Sequence, residues 1–258
     1  MPPLHCNATV IRQEQLPYGL FRLWVRPDWP ANEASWKAGQ FLRIGVPQNQ
    51  EQDKNDLRVM TIVDQADGML EFYLVAVEGG TTSPRLAKLR TGDRCFVEPN
   101  ITGNFTAHNL PVHIEDSLWL LGTGTGIAPF VAMKRKAWEQ LQRFTHIILV
   151  HSVRYAEQLC YQQELQAQQE QFPGFRYIPV VTHPNASADS LLQQRIPQLI
   201  RSTALEQKAG VTISAENSVV MLCGNPHMIW EALEELHNKG LRKHRRRSPG
   251  NILYERYW

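Results

Sequence analysis

The fold is decided by the stretch Ser117-Leu118-Trp119-Leu120-Leu121-Gly122-Thr123-Gly124-Thr125-Gly126-Ile127-Ala128-Pro129-Phe130. Its apolar run predicts a buried strand, its alternating Gly and Thr predict a tight turn, and the amphipathic residues from Ile127 to Gln142 predict a helix. Glycines let backbone N–H groups approach an anion, and a helix N-terminus adds partial positive charge. Pro129 suits the first helical turn, where its missing N–H costs little. The stretch predicts a seat for a phosphate-bearing cofactor, and a glycine-rich turn without a ligand is the alternative.

Two common phosphate-binding loops do not fit this stretch. No Gly-Lys-Ser/Thr follows it, which argues against a nucleotide-triphosphatase loop. The next strand, 145–150, continues into His151-Ser152-Val153-Arg154, whereas an ordinary Rossmann fingerprint places an acid there for a ribose hydroxyl. A basic residue in that place suggests a phosphorylated ribose or a pyrophosphate.

Composition narrows the class of protein. A chain of 258 residues has room for two domains, and its 27 basic and 25 acidic residues give no global signal for nucleic acid. Four widely spaced cysteines argue against a zinc site, an iron–sulfur cluster or a disulfide framework, and are typical of a reducing cytosol. The N-terminus lacks the pattern of a signal peptide, and no apolar run could span a bilayer. We expect a soluble cytoplasmic protein, and a monomer.

Two patterns divide the chain. Short strands separated by turn signals predict an N-terminal antiparallel barrel, with candidates at 8–13, 20–26, 40–46, 57–63, 70–77 and 94–98. From Ser117 onward strands alternate with helices, which predicts a parallel sheet covered on both faces. Its strands are expected at 118–121, 146–150, 175–181 and 218–222, and its helices near Ala128, Ala156, Asp189 and Pro226. The boundary is expected within 110–116, which gives domains 1–110 and 111–258. The polar segment 48–56 is expected to be a surface loop, and the Gln-rich patch 162–171 a solvated helix.

Five motifs occur in a characteristic order. They are Arg58-Val59-Met60-Thr61, Gly80-Thr81-Thr82-Ser83-Pro84-Arg85-Leu86, Gly122 to Pro129, Cys223-Gly224-Asn225-Pro226, and a chain ending in Tyr257-Trp258. With these motifs the chain resembles bacterial ferredoxin/flavodoxin–NADP reductases over nearly its full length. The resemblance implies an FAD-binding antiparallel barrel followed by an NADP-binding α/β domain. It also implies hydride transfer between NADPH and FAD, and transfer of single electrons between FAD and a small carrier protein.

The resemblance assigns the flavin site. A flavin nucleotide needs a cation for its pyrophosphate, a hydrogen bond near ring N5, and apolar faces. Arg58 resembles the pyrophosphate cation and Thr61 the residue beside N5. Met60 stands where the family usually has Tyr, which leaves a polarizable surface but removes an aromatic contact. Alternation along a strand places Met60 on the face of Arg58, and Val59 on that of Thr61. The alternative for the motif 58–61 is an ordinary half-buried strand that binds no flavin.

The rest of the flavin site follows from the same resemblance. The strand 71–77 matches the segment that lines the flavin, with Tyr73, Leu74, Val75 and Val77 as candidate contacts. The turn Gly80-Thr81-Thr82-Ser83 matches the one that receives the diphosphate. Ser83 before Pro84 also predicts a helix N-cap. Thr123 matches a residue near both flavin and nicotinamide.

The second nucleotide is assigned to the α/β half. Arg154 follows a buried strand and resembles the ligand of the pyridine-nucleotide phosphate. Thr182 and His183 stand where the family commonly has Ser-Arg for the 2′-phosphate, and Arg195 matches the second cation. A solvated helix cation is the alternative for Arg195. The remaining candidate contacts are Thr125, Gly126, Gly224, Asn225, Pro226 and Tyr257.

Four residues are expected to act at the reacting rings. They are Thr61, Cys223, Glu255 and Trp258. Cys223 matches the residue beside the nicotinamide C4, where it would position the ring rather than attack it. A buried structural thiol is its alternative. Glu255 matches an acid with a polar or proton-relay role. Trp258 matches the terminal aromatic over the flavin, and a frayed tail is its alternative.

The densest basic run is Arg242-Lys243-His244-Arg245-Arg246-Arg247. Because ferredoxins and flavodoxins are acidic, complementary charge predicts that this run docks the carrier. A solvated segment or a weak nucleic-acid patch is the alternative.

Three other functions compete with the main interpretation. The first is a flavin or ferric reductase with a small-molecule acceptor, although such relatives usually lack the terminal Tyr257-Trp258. The second is a redox-responsive nucleic-acid-binding protein, but no helix-turn-helix accompanies the basic run. The third is an electron-transfer subunit of a larger complex, for which cluster-binding cysteines are missing.

Overall fold

The computed structural model describes residues 5–29, 36–46, 57–183, 191–245 and 247–256. Several predicted features lie outside these residues: the polar loop 48–56, the helix near Asp189, Arg246 of the basic run, and the terminal Tyr257 and Trp258. Within the described part of the chain, no helix is both long enough and apolar enough to cross a membrane.

The N-terminal half forms an antiparallel sheet. Its strands are β1 (Ala8–Gln15), β2 (Leu20–Pro27), β3 (Phe41–Gly45), β4 (Arg58–Thr61), β5 (Asp64–Ala66), β6 (Met69–Val75) and β7 (Arg94–Val97). Their order is β4-β3-β7-β1-β2-β6-β5. The edge strands β4 and β5 are separated in the chain only by Ile62 and Val63, so the sheet curls until its edges meet. There Ile62 N–H donates to the Gln40 carbonyl (3.1 Å) and Val63 N–H to that of Glu71 (2.9 Å). The predicted antiparallel barrel is confirmed.

The C-terminal half is built on a parallel sheet. Its strands are β8 (Ser117–Thr123), β9 (His146–Val153), β10 (Phe175–Val181), β11 (Ser218–Gly224) and β12 (Ile252–Arg256). The order is β10-β9-β8-β11-β12, and each neighbouring pair is parallel. Among the residues that the structure describes, the α-helices are α1 (Ser83–Leu86), α2 (Ala128–Lys136), α3 (Trp138–Leu141), α4 (Gln162–Gln171), α5 (Ile196–Arg201), α6 (Ala204–Ala209) and α7 (Pro226–Asn238). The predicted α/β architecture is therefore confirmed.

Strand β8 divides its side chains between two cores. Leu118 and Leu120 belong to a cluster that also holds Phe72 of the barrel, whereas Trp119 and Leu121 belong to a cluster with α5 and α7. Alternation along the strand places these pairs on opposite faces, so the central strand is apolar throughout. One core is thus continuous from the barrel to the near face of the parallel sheet. The domain limits 1–110 and 111–258 stay a prediction.

The helix predicted over 127–142 is wrong as a single element. A 3-10 turn covers Gly124–Ile127, α2 follows it, and Ala137 leaves helical geometry at φ −135° and ψ 22° before α3 begins. The pattern of apolar residues continues through this break, and so the sequence does not reveal it. Pro129 does lie in the first turn of α2, as expected.

Two smaller predictions, for the Gln-rich patch and for Ser83, have opposite outcomes. The Gln-rich patch forms α4, a largely solvated helix that buries only Leu165. Ser83 is not the N-cap of α1, because Thr82 holds that position. The Ser83 hydroxyl instead accepts a hydrogen bond from Val77 N–H at 3.1 Å. Strand β5 was not predicted, because a stretch of three residues with two polar side chains shows no alternating pattern.

Candidate nucleotide-binding site

A cavity of about 530 Å³ opens at the carboxyl ends of β8, β9 and β11. Ligands of open parallel sheets bind at this edge, because helix N-termini and strand ends leave backbone groups available there. Leu20 and Val75 of the barrel form part of its wall. Nine predicted contact residues line it together: Val75, Thr123, Thr125, Arg154, Thr182, His183, Arg195, Gly224 and Asn225.

Close backbone packing shapes the turn after β8. A Cβ on Gly126 would lie 2.5 Å from the carbonyl oxygen of Cys223, and a Cβ on Gly224 (φ +123°) would lie 2.7 Å from that of Thr123. Only glycine fits at either position. Gly124 has φ +53° and open space where a side chain would be, which leaves its backbone accessible from the cavity. This cradle suits the close approach of a phosphate.

A buried histidine supports the same turn from beneath. His151 of β9 is fully buried, and its Nε2 lies 3.0 Å from the carbonyl oxygen of Gly124. Burial lowers the pKa of His151 to about 4, so the ring is neutral near pH 7. Since a carbonyl can only accept, Nε2 carries the proton and donates it to this bond. The sequence showed His151 only as part of a continuing strand, so this contact was missed.

The segment after β9 holds Arg154 at the cavity. The backbone N–H groups of Arg154 and Tyr155 both donate to the side-chain oxygen of Gln158, at 3.1 and 3.0 Å. His183 N–H donates to the Arg154 carbonyl at 2.9 Å, which ties the end of β10 to this segment. The Arg154 and His183 side chains are both exposed at the cavity wall.

Arg195 completes the cationic part of the wall. It precedes α5, where its N–H donates to the side chain of Gln198 at 3.1 Å, and its own side chain is exposed. The fold brings Arg154, His183 and Arg195 to one cavity although the sequence separates them. Two guanidinium groups and an imidazole suit a phosphate ligand.

Other lining residues were not expected from the sequence. They are Leu20, Ser152, Val153, Gln158, Ile196, Pro197, His227, Met228 and Glu231. His227, Met228 and Glu231 occupy the first turns of α7, which Pro226 begins and the Asn225 side chain caps by accepting from His227 N–H at 2.8 Å. The Cys-Gly-Asn-Pro motif located this helix start, but only the fold shows which of its side chains face the cavity.

The structure brings two predicted flavin ligands together. Arg58 at the start of β4 donates to the hydroxyl of Thr81 at 3.5 Å, although 23 positions separate them. Val59 and Val77, of a residue type that is more often buried, are 50% and 47% exposed. A cation, a hydroxyl and exposed apolar side chains on β4 and the segment after β6 fit a diphosphate joined to a flat apolar ring.

Other predicted flavin contacts are enclosed. Tyr73 and Leu74 are buried, and the Tyr73 hydroxyl donates to the Gln158 carbonyl at 3.4 Å. Thr61, Thr82 and Ser83 are buried as well, and Met60 is half-buried. Gly80 closes a tight turn by donating to the Val77 carbonyl at 2.9 Å. The roles of these residues toward a flavin stay predictions.

Cys223 and Glu255 are neighbours on adjacent strands. They are paired in register between β11 and β12. Cys223 is fully buried and is not among the residues that line the cavity. Glu255 is half-buried, and burial raises its pKa to about 7. Glu255 lies on β12, an edge strand of the parallel sheet, and the roles of Cys223 and Glu255 stay predictions.

The basic run lies along the start of β12. His244 N–H donates to the Ile252 carbonyl at 2.8 Å, and Lys243 Nζ donates to the Tyr254 hydroxyl at 2.8 Å. Arg242, Lys243, Arg245 and Arg247 are exposed. The described cations of the run are therefore presented on a backbone that hydrogen bonds hold in place.

The fold and the cavity together define a dinucleotide-binding α/β protein joined to an antiparallel barrel. Residues 120–233 match the family model of the oxidoreductase NAD-binding domain. The chain is 38% identical to the flavodoxin/ferredoxin–NADP reductase of Escherichia coli K12 over 86% of its own length and 87% of the relative. It is 34% identical to the ferredoxin–NADP reductase of Azotobacter vinelandii, with coverage of 84% and 85%.

A solved structure leads to the same family. A ferredoxin NADP+ reductase from Neisseria gonorrhoeae with bound FAD and NADP superimposes with a TM-score of 0.85, at 30% identity and 97% coverage of both chains. The chain belongs to the flavodoxin/ferredoxin–NADP reductase family. The resemblance of its sequence motifs to this family is thereby confirmed.

Proposed function

We propose that the protein is a flavoenzyme that transfers hydride between NADPH and FAD and single electrons between FAD and ferredoxin or flavodoxin. One observation carries the proposal. A single cavity combines the glycine turn after β8, the cations Arg154 and Arg195, and the barrel residues Leu20 and Val75. A nicotinamide nucleotide bound along the strand ends would therefore reach the barrel. The names of the relatives, and the FAD and NADP bound in the Neisseria structure, support the same function.

The residues of the α/β half would bind and orient NADPH. The backbone of Gly124 and its neighbours would receive the pyrophosphate, held in shape by His151. Arg154, His183 and Arg195 would hold the remaining phosphate. Thr123 accepts a hydrogen bond from Asn225 N–H at 2.9 Å, which fixes the gap between β8 and β11 where a nicotinamide would enter. These contacts place the ring for transfer rather than activating it chemically.

The barrel would bind FAD through Arg58 and Thr81 at the diphosphate, and through Val59 and Val77 at apolar surface. When bound, FAD supplies a ring that accepts a hydride and returns electrons singly. Leu20 and Val75 would exclude water from the region between the two nucleotides. Glu255, with a pKa of about 7, would hold or release a proton near the end of β12.

The carrier is proposed to dock on the basic run. Arg242, Lys243, Arg245 and Arg247 are exposed there, and their backbone is fixed against β12. We also propose a monomer in the cytoplasm that does not bind nucleic acid. The nearly balanced 27 basic and 25 acidic residues support the last point.

The test begins with the cofactor. The purified protein is denatured and the released flavin is identified by chromatography, and FAD is the expected species. Anaerobic NADPH should then bleach the visible band, and added flavodoxin or ferredoxin should restore it. A colourless protein that FAD cannot reconstitute would reject the proposal. Reduction of free flavin or ferric chelates without any reduction of a carrier would favour a reductase of small molecules.

A further inference from the structure

A ring pair joins the barrel to the nucleotide-binding half. Tyr18, between β1 and β2, stacks on Tyr155, which directly follows Arg154. The ring centroids are 4.5 Å apart and the planes meet at 17°. Tyr18 remains 52% exposed and does not line the cavity, so it makes no contact there.

Tyr18 reaches this position at a conformational cost. Its backbone is left-handed, with φ 60° and ψ 35°, a region that residues with a side chain rarely adopt. The turn is held in place because Ala76 N–H, just after β6, donates to the Gly19 carbonyl at 2.8 Å. The fold therefore maintains a strained conformation that directs the Tyr18 ring toward Tyr155.

Tyr155 contacts this turn through Tyr18 and the cationic wall of the cavity through His183. Its ring is tilted toward His183 at 5.9 Å, and Gln158 holds both its backbone N–H and that of Arg154. The Tyr73 hydroxyl of the barrel donates to the backbone carbonyl of the same Gln158 at 3.4 Å. Two barrel residues, Tyr18 and Tyr73, thus contact the segment 154–158 from outside the cavity.

We infer that Tyr18 is a positioning residue for the nicotinamide nucleotide: its stack on Tyr155 fixes the segment that presents Arg154 to the phosphate of NADPH. The inference rests on the proposed function, in which Arg154 binds that phosphate. An arginine on a fixed backbone loses less freedom on binding than one on a moving segment, so the stack lowers the KM for NADPH. Catalysis at saturation is expected to be independent of the stack, because neither ring lies among the cavity-lining residues.

Two substitutions separate stacking from folding. Tyr18→Asn removes the ring but tolerates left-handed backbone, so the turn is retained. Tyr18→Phe keeps the ring and removes only the hydroxyl. We expect Tyr18→Asn to raise the KM for NADPH by about 2- to 10-fold, the range of one aromatic pair, with kcat and FAD content unchanged. Tyr18→Phe should match the parent protein. An unchanged KM in Tyr18→Asn, or an equal loss of kcat, would overturn the inference.

A double-mutant cycle tests the route through Arg154. If Tyr18 acts by placing Arg154, then Tyr18→Asn should add little to the KM of an Arg154→Ala variant. Full additivity of the two effects would overturn the inference while leaving the proposed function intact. If Arg154→Ala alone does not change the KM for NADPH, the assignment of Arg154 is wrong. The positioning role of Tyr18 is then wrong with it, although the flavin spectrum would still report an FAD enzyme.

Discussion

Arg135 of α2 donates to the buried carboxylate of Glu71 on β6 at 2.8 Å, across the junction between the barrel and the α/β half. The other carboxylate oxygen of Glu71 accepts from Arg22 of β2 at 2.7 Å and from the Tyr161 hydroxyl at 3.0 Å. Arg135 also pairs with Glu164 of α4 at 2.6 Å. A single buried acid therefore holds cations from both halves of the molecule.

Substitution of Glu71 tests this junction. Glu71→Gln leaves Arg22 and Arg135 beside a neutral amide, while Glu14 and Glu164 still pair with them. The loss is therefore expected on the scale of a hydrogen bond to a charged group, about 1.5–3 kcal/mol. We expect the holoenzyme to lose stability by this order in guanidinium unfolding. Asp28→Asn is the control, because it breaks the Arg94 ion pair at an exposed site and should change stability little. Similar small losses in both variants would show that the Glu71 cluster contributes no more than a surface pair.

Some elements of this structure can be predicted from the local sequence, whereas the cluster of charged residues around Glu71 cannot. The stretch 117–130 predicts its own strand, turn and helix start, because the apolar run, the glycines and Pro129 each restrict the local backbone conformation. Arg22, Glu71 and Arg135 are ordinary charged residues in sequence. Only the pairing of β2 with β6 and the docking of α2 bring them together.

The residues of the candidate site also divide into those that the sequence predicts and those that only the fold reveals. Arg154, His183 and Arg195 were expected from motifs and line one cavity. His151 was not expected, because its place in an apolar strand does not reveal that the turn after β8 brings the Gly124 carbonyl to 3.0 Å from its ring. Glu231 was missed for a similar reason, since the side of α7 that faces the cavity depends on packing against β11.

Glu255 should make stability depend on pH near neutrality. Its folded pKa of about 7 lies above the ordinary 4.5, so the folded protein binds this proton more tightly than the unfolded chain. This contribution to stability is complete below pH 4.5 and is lost as pH rises through about 7. Glu255→Gln stays neutral, so its advantage should grow from none at low pH to at most about 3 kcal/mol above pH 8.

The measurement is urea unfolding of the holoenzyme at several pH values between about 5 and 8.5. The same substitution at the exposed Glu170 on α4 is the matched control, and any change common to both variants is subtracted from the effect at Glu255. If the difference between Glu255→Gln and the parent were constant over this range, the carboxyl would not titrate where we expect.

Arg195 is expected to distinguish NADPH from NADH. Its exposed side chain at the cavity wall, together with Arg154 and His183, suits the additional phosphate of NADPH. Arg195→Ala should weaken NADPH binding by about 1.5–3 kcal/mol, the scale of a hydrogen bond to a charged group, and leave NADH nearly unchanged. Steady-state kinetics with both nucleotides measure this. A parallel loss for both would place Arg195 at a phosphate that the two nucleotides share.

The basic run should govern encounter with the carrier. Arg245 and Arg247 are exposed beside a tight turn in which Arg245 and Ser248 exchange two backbone hydrogen bonds of 3.0 Å. Lys243 is held over the Tyr254 ring at 4.1 Å. Cations presented on a fixed backbone attract an acidic partner over about a Debye length. Carrier reduction should therefore be fastest at low ionic strength and should fall as salt is added.

The double variant Arg245→Gln/Arg247→Gln tests this attraction. We expect it to slow reduction of flavodoxin or ferredoxin by about 3- to 10-fold at low salt, with the difference vanishing at high salt. Reduction of a small dye by NADPH should be unaffected, because the nucleotide sites are intact. Arg176→Gln/Lys208→Gln removes the same charge from β10 and α6, at the opposite edge of the sheet from β12, and should behave as the parent. Equal slowing in both double variants would mean that the net charge of the protein, and not the basic run in particular, attracts the carrier. Loss of the dye reaction in the first variant alone would instead place the run at the nucleotide.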